Sequence, residues 1–358
     1  MDITLFQPRQ LSAAHIAAWR RMQDADQALG SPFLAPGFTR AVGALRLTAR
    51  VAVISEDGEP VSFFPFERHA LGAGKPIGSG FNDCQGLIHQ GNLHLTADDL
   101  LQGCDLFTWD FNHLTAGQTV LSEGTRLQAP SPVVRLDNGW ATYLETMRNR
   151  SPNFLRKIRA KERHLCQREG SVHAVYADDN PQLLATLIRW KTAQYHARGW
   201  RDQFARPFTA TLLDNLTRAP ADGCQATLSA LYLSGQPIAC QYSLRAEHTQ
   251  ALWFTAYDNR FARYSPGVLL SLKLFEAAEQ HGIRLIDLGR GEDPTKNALK
   301  TGELLVGEGT VQRGRMRTTL IRGQSVAFRT LADFTAEHPV LRRAALRSAR
   351  IADSFRRG

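Results

Sequence analysis

Residues 251–291, ALWFTAYDNRFARYSPGVLLSLKLFEAAEQHGIRLIDLGRG, read as strand, tight turn, apolar helix and strand, and no other stretch constrains the fold as strongly. The helix starts directly after a bend, at Arg263-Tyr264-Ser265-Pro266-Gly267-Val268. Ser265 suits the N-cap, where a hydroxyl accepts from a first-turn N–H. Pro266 suits N1, where no N–H is needed and φ is preset. Gly267 has no side chain, so an anion can approach the backbone. A helix start of this kind offers backbone N–H groups to a phosphate. The same residues also fit an ordinary buried helix with a good cap. Residues 268–280 are apolar nearly all round, with Lys273, Glu276 and Gln280 as a thin polar stripe, which predicts a helix buried against a sheet. Gly282 ends that helix, and residues 283–288 return as a short buried strand.

The 358 residues, 43% of them hydrophobic, are enough for two domains or one large one. No run of about 18 apolar residues occurs, so no membrane span is expected. The start MDITLFQPRQ lacks a basic and then apolar leader, so no secretory signal is expected either. The five cysteines are odd in number and scattered, without Cys-x-x-Cys spacing. That favours reduced thiols in a cytoplasmic protein, with no disulfide framework and no metal site. The net charge is +9, and the excess falls in residues 148–168 and in the tail from 313 onward. Such patches fit nucleic acid, anionic lipid or an acidic substrate, and they equally fit solvated helix faces.

Helices are predicted over 13–29, 36–44, 96–103, 140–147, 153–168, 181–197 and 207–218, and strands over 50–54, 61–67, 106–111, 133–136 and 172–176. Residues 72–80 read as a Gly-rich loop. Asp57-Gly58 between apolar runs signals a hairpin. Strands 225–233, 238–245 and 251–257 have short connectors and should form an antiparallel meander. A hairpin around 306–321 and two basic helices are expected to close the chain. Both halves share an order of helices, hairpin, helix and strand, and Gly58-Glu59-Pro60-Val61 is echoed by Gly235-Gln236-Pro237-Ile238. The fold class is α+β, each half a mixed, mostly antiparallel sheet flanked by helices. The expected division is 1–138, 139–322 and a basic helical tail over 323–358.

The meander, the Gly-Gln-Pro-Ile-Ala turn, Tyr257-Asp258, the Tyr264-Ser265-Pro266-Gly267 bend and Asp287-Leu288-Gly289-Arg290-Gly291 resemble GNAT-superfamily acyltransferases. The resemblance is nearest to the CelD-like, cellulose-biosynthesis acetyltransferase-like subgroup, whose tandem GNAT units are distantly similar to the FemAB peptidyltransferases. Ser31-Pro32-Phe33, Phe63-Phe64-Pro65-Phe66 and Asp83-Cys84-Gln85-Gly86-Leu87 extend it into the first half. The resemblance implies an acyl-CoA co-substrate held at Arg263, Tyr264, Ser265, Pro266, Gly267, Val268 and Lys296. The chain departs from the family's acyl-CoA loop, keeping Arg263 and a displaced glycine, and has Thr295-Lys296 where relatives carry Tyr-Lys. The first half is expected to be a degenerate unit that shapes the cleft.

In the implied chemistry an amine or hydroxyl attacks a thioester directly, so a base is needed and a covalent nucleophile is not. Asp258, at the end of an apolar strand, is the first candidate base, and it also suits a turn residue bonding its own backbone. Asp287, in a buried-looking strand, is the second, and Arg290 or Arg263 could pair with it. Asp83, Gln85, Trp109, Tyr257 and Arg290 are candidates for holding the acceptor, with Asn112 and His113 near the same cleft. Glu292 and Asp293 read as solvated loop charges, Lys296 and Lys300 as one helical face or a phosphate grip, and Trp190, Lys191 and Tyr195 as core packing. Two further functions stay open: a FemAB-type transferase whose basic helix grips aminoacyl-tRNA, and a non-catalytic module.

Overall fold

The computed structural model describes residues 1–218, 222–291 and 293–314. In the first half, β1 (Asp2–Phe6) leads through α1 (Ala13–Ala25) and α2 (Pro36–Gly43) to β2 (Ala49–Glu56) and β3 (Glu59–Arg68). Then come β4 (Ala73–Pro76), β5 (Ile88–His89), α3 (Ala97–Gly103), β6 (Thr108–Leu114), α4 (Thr119–Ser122) and β7 (Thr125–Arg135). The second half runs α5 (Gly139–Arg150), α6 (Pro152–Glu169), β8 (Val172–Val175), α7 (Leu183–Ala197) and α8 (Pro207–Arg218). It continues with the meander β9 (Gln225–Leu233), β10 (Gln236–Arg245) and β11 (Thr249–Tyr257), then α9 (Pro266–Gln280), β12 (Leu285–Asp287), α10 (Pro294–Leu299) and β13 (Gly302–Gln312). Met1–Val311 form one compact unit.

The strands join one sheet in the order β1-β2-β3-β4-β6-β13-β7-β12-β11-β10-β9-β8, with β5 paired to β3 off this path. It is mixed and mostly antiparallel, as expected; β4 with β6 and β11 with β12 are parallel. The two halves repeat at the level of single residues. Asp57 and Gly58 have φ of 51° and 84°, and Ser234 and Gly235 have 47° and 81°, so both hairpins turn through two left-handed residues. Each hairpin then slips register beside its proline, Pro60 in β3 and Pro237 in β10, where no N–H is available for the ladder. Each half also places a helix between two parallel strands: α3 between β4 and β6, and α9 between β11 and β12.

Helix α9 buries Leu269, Leu270, Leu274, Phe275 and Ala278. Each large side chain so buried contributes about 1.5–3 kcal/mol, which anchors the helix on the sheet. Three segments differ from expectation. The Gly-rich stretch 72–80 contains β4, because Gly74 lets the strand lie close to β6: a Cβ there would meet the Thr108 carbonyl at 2.8 Å. Strand β7 begins well before residue 133 despite Pro130 and Pro132. The Pro132 carbonyl accepts the Leu288 N–H. Its missing N–H therefore faces the same side, beyond the end of short β12, where no ladder bond is lost. Strand β13 starts at Gly302, before the expected 306, and is held between β6 and β7. The expected returning arm, Glu292 and the basic tail lie outside the described residues.

Candidate active site

Strands β11 and β12 pair only over Thr249, Gln250 and Ala251, opposite Leu285, Ile286 and Asp287. Beyond that point β11 continues along β10 to Tyr257 while β12 has ended. The β10–β11 register slips between Tyr242 and Ser243, leaving Trp253 as the extra residue of a bulge. A bulge bends and twists its strand, and Trp253 packs with Phe254 against the same core cluster. The parallel pair therefore opens just past Asp287. Among the described residues no strand covers the outer edge of β11 from 252 to 257. In the first half the corresponding edge is closed: Gln85 bridges Leu114, and its Oε1 accepts the N–H groups of Asn112 and His113 at 2.9 and 3.1 Å.

Asp287 stands at the vertex of the opening, 9% exposed. Its Oδ1 accepts from Ser131 Oγ and from the Gly289 N–H, each at 2.8 Å. Burial raises its pKa, and those two hydrogen bonds and Lys296 oppose the rise. Asp83 reaches the same place from the loop after β4, its side chain 31% exposed. Loss of solvent, and then the charge of Asp287, push its pKa up to about 6, against the pull of Lys296. Lys296 Nζ donates to the carbonyls of Gly289 at 2.9 Å and Arg290 at 3.3 Å, which leaves one ammonium hydrogen for a ligand. Burial lowers the pKa of Lys296, while Asp293, Asp83 and Asp287 support its charge.

Three further side chains surround these groups. His113 Nε2 is 3.8 Å from Asp83 Oδ1. Burial, then the charge of Arg290, depress His113 to about 4, so at neutral pH the two are not an ion pair. Arg290 donates to the Asn112 carbonyl at 2.5 Å and to Glu308 at 2.8 Å, tying the halves together. Lys191 Nζ donates to the Thr255 carbonyl on β11 at 3.1 Å. Burial, then Arg198 and Lys296, lower its pKa to about 8. Cys84 is buried within reach of the charges of Asp287 and Asp83, but burial pushes its thiol up to about 12, so it is no thiolate nucleophile.

Of the predicted residues, Asp83, Gln85, His113, Asp287, Arg290 and Lys296 converge here. Trp109 does not: it is 1% exposed and packs against Phe64 and Phe111 in the core of the first half. Asp258 lies past the far end of β11, where it caps the turn Asn259–Tyr264 and pairs with Arg260 at 2.6 Å. The Arg260 hydrogen bond lowers its pKa, which weakens it as a base. Lys300 follows α10, outside a shared helical face with Lys296, and pairs with Glu303. Asp293 caps α10 by accepting the N–H groups of Thr295 and Lys296.

The bend before α9 differs in detail from the expected cap. Ser265 adopts a left-handed conformation, φ 55°, and its Oγ accepts from Lys161 Nζ at 2.7 Å, so it does not cap the helix. The Val268 and Leu269 N–H groups both donate to the Ser265 carbonyl, at 3.0 and 3.1 Å. The Gly267 N–H has no partner among the described residues, and Gly267 faces Thr255 and Tyr257 of β11. Pro266 and Tyr264 are buried; Arg263 lies over the Tyr264 ring and pairs with Glu169 at 3.0 Å. Sequence reading missed Ser131, Glu308 and the polar role of Lys191, which follows Arg189 and Trp190 in α7 with nothing in the pattern to mark it.

Residues 152–297 match the family model described as an acetyltransferase (GNAT) domain. Over those residues the chain is similar to a GNAT acetyltransferase domain. That span holds β11, α9, β12 and Lys296, but not Asp83 or His113. No curated protein matches the chain. Among solved structures, FemX superposes with a TM-score of 0.56 at 12% identity, over 87% of this chain and 96% of that one. A conserved protein of unknown function from Bacteroides thetaiotaomicron gives 0.55 at 10% identity, over 86% and 99%. At such identities the likeness is one of fold.

Proposed function

We propose that the chain is an acyl-CoA-dependent N- or O-acyltransferase whose acceptor is a small molecule or a glycan precursor. The opening between β11 and β12, inside the matched domain and with a buried carboxylate at its vertex, carries this reading. A pantetheine arm laid along the edge of β11 that no strand covers would hydrogen-bond as a strand does, beside the Thr255 carbonyl that Lys191 holds. Its thioester would then end beside Asp83, Asp287 and Lys296. At the outer end, the unpartnered Gly267 N–H and Lys161, held by Ser265, suit the diphosphate.

The acceptor's nitrogen or oxygen attacks the thioester carbonyl carbon. The new C–N or C–O bond forms as C–S breaks, the nucleophile's proton passes to Asp83, and the sulfur leaves as thiolate and is then protonated. Asp83 suits the base better than Asp258 because a pKa of about 6 is closer to working pH. In this reading residues 1–138 supply Asp83 and close the acceptor side, 139–322 bind the acyl donor, and the protein works in the cytoplasm. No helix among the described residues is long and apolar enough to cross a membrane.

Calorimetry with acetyl-CoA tests the assignment. Saturable binding with a Kd on the order of micromolar, about −8 kcal/mol, is expected, and its absence overturns the reading. One observation favours the aminoacyl-tRNA alternative. Helix α6 exposes Lys157, Arg159, Arg163 and Arg168, none paired with an acid among the described residues. Titration with bulk tRNA separates the two: binding that weakens steeply with salt, without acetyl-CoA binding, selects the alternative. Binding of neither selects a non-catalytic module.

A further inference from the structure

Successive residues of a strand turn their backbone groups to opposite sides. The Asp258 N–H donates to the Ile238 carbonyl of β10. Ala256 and Phe254, paired with Cys240 and Tyr242, turn the same way. Thr255 and Tyr257 therefore point their N–H and C=O groups at the edge of β11 that no strand covers among the described residues. Thr255 lies between Ala251, which is paired with Asp287, and Tyr257, which neighbours Gly267. An arm laid along this edge from Gly267 towards Asp287 must pass it. Lys191 Nζ stands there already, 3.1 Å from the Thr255 carbonyl.

The Lys191 ammonium has donors to spare. It carries three hydrogens, and that carbonyl is its one hydrogen-bond acceptor among the described residues. The Tyr195 ring, 5.5 Å away, fills a second direction. The charges that act on it, Arg198 and Lys296, are both positive. A half-buried ammonium without a counter-ion is costly to keep. Beside an unpaired strand edge, it suits a ligand that brings an acceptor.

We propose that Lys191 binds the acyl donor, its ammonium bridging the Thr255 carbonyl and an amide carbonyl of the pantetheine arm. A free strand edge offers a carbonyl at this point and calls for an N–H from the arm. Lys191 reverses that polarity, so the arm must set a carbonyl here. The amides of the arm lie a fixed number of bonds from its sulfur, so this contact sets how far the thioester reaches towards Asp287. The role rests on the acyltransferase reading and adds a residue of α7 to the donor site.

Calorimetry on the wild type, Lys191→Met and Lys191→Arg tests it with two ligands: acetyl-CoA, and adenosine 3′,5′-bisphosphate, which has no arm. Lys191→Met should bind acetyl-CoA about tenfold more weakly. It should bind the bisphosphate as the wild type does and keep its melting temperature. Lys191→Arg should recover part of the loss. Burial, then Arg198 and Lys296, bring the Lys191 pKa to about 8, so wild-type affinity for acetyl-CoA should fall about tenfold from pH 7 to pH 9. Tyr195, raised by burial, stays neutral over that range, and Lys191→Met should lose the fall. Wild-type acetyl-CoA affinity in Lys191→Met, an equal loss for both ligands, or a pH dependence that survives the substitution overturns the proposal. Absence of acetyl-CoA binding to the wild-type protein would strike the transferase reading itself, and this role with it.

Discussion

Asp83 and Lys296 flank Gly289 from opposite halves of the chain: a Cβ at position 289 would lie 4.0 Å from Asp83 Oδ2 and 3.6 Å from Lys296 Nζ. Gly289 has a φ of 80°, so the backbone at this point favours glycine, while a Cβ would make only ordinary contact with the two side chains. The relationship makes Asp83 a group whose charge is set by tertiary neighbours.

Asp83→Asn should lower kcat by roughly 10²–10³-fold, within the range for a lost general base. The wild-type rate should rise with pH through about 6, where the carboxyl ionises, and the variant should lose that limb. The stability effect has the opposite sense. A carboxyl raised from 3.8 to about 6 favours the folded state below pH 3.8 and loses that contribution as pH climbs through 6. Asp83→Asn should therefore unfold no more easily than wild type at pH 8, as read from the urea midpoint. An unchanged pH–rate profile would remove Asp83 from the role.

Asp287 should separate charge from hydrogen bonding. Asp287→Asn keeps an acceptor for Ser131 and the Gly289 N–H, and should cost about 1 kcal/mol. Asp287→Ala leaves both donors unsatisfied in a buried place and should cost about 2–4 kcal/mol. Equal denaturation midpoints for the two variants would contradict the geometry.

His113 should make the fold acid-sensitive. Its folded pKa is about 4 against 6.5 for the exposed group. The neutral ring thus contributes stability that is present above 6.5 and lost as pH falls from 6.5 towards 4. His113→Gln should flatten that part of the curve of melting temperature against pH.

Arg290 should be sensitive even to lysine. Its two donors reach the Asn112 carbonyl and Glu308 in different directions, which one ammonium reproduces poorly. Arg290→Ala and Arg290→Lys should each destabilise by about 1.5–3 kcal/mol in chemical unfolding.

Gly267→Leu tests the donor end. A side chain there starts 3.3 Å from Thr255 Cγ2 and fills the space before the helix N-terminus. Acetyl-CoA should bind on the order of tenfold more weakly, about 1.4 kcal/mol, with the melting temperature little changed.

Much of the scaffold was legible in the chain. The Asp57-Gly58 and Ser234-Gly235 turns, the meander of β9, β10 and β11, and the start of α9 at Pro266 rest on interactions within a few residues. Steric preference and alternation report such interactions directly. Strand β7 was cut short because its prolines are tolerated only where β12 stops, a fact about a neighbour distant in sequence. Trp109 looked like a cleft residue and is core, because the face of β6 it takes depends on which sheet layer covers it.

By itself, then, the sequence determined the elements, their turns and the residue types able to do acyl-transfer chemistry, since these depend on local sterics and hydrophobic period. Only the tertiary structure decided that Asp83 meets Asp287 and Lys296 while Asp258 stands apart. That choice follows from strand order and from the Trp253 bulge that parts β11 from β12. A carboxylate's pKa and reach depend on groups that the folded sheet brings near, wherever they stand along the chain.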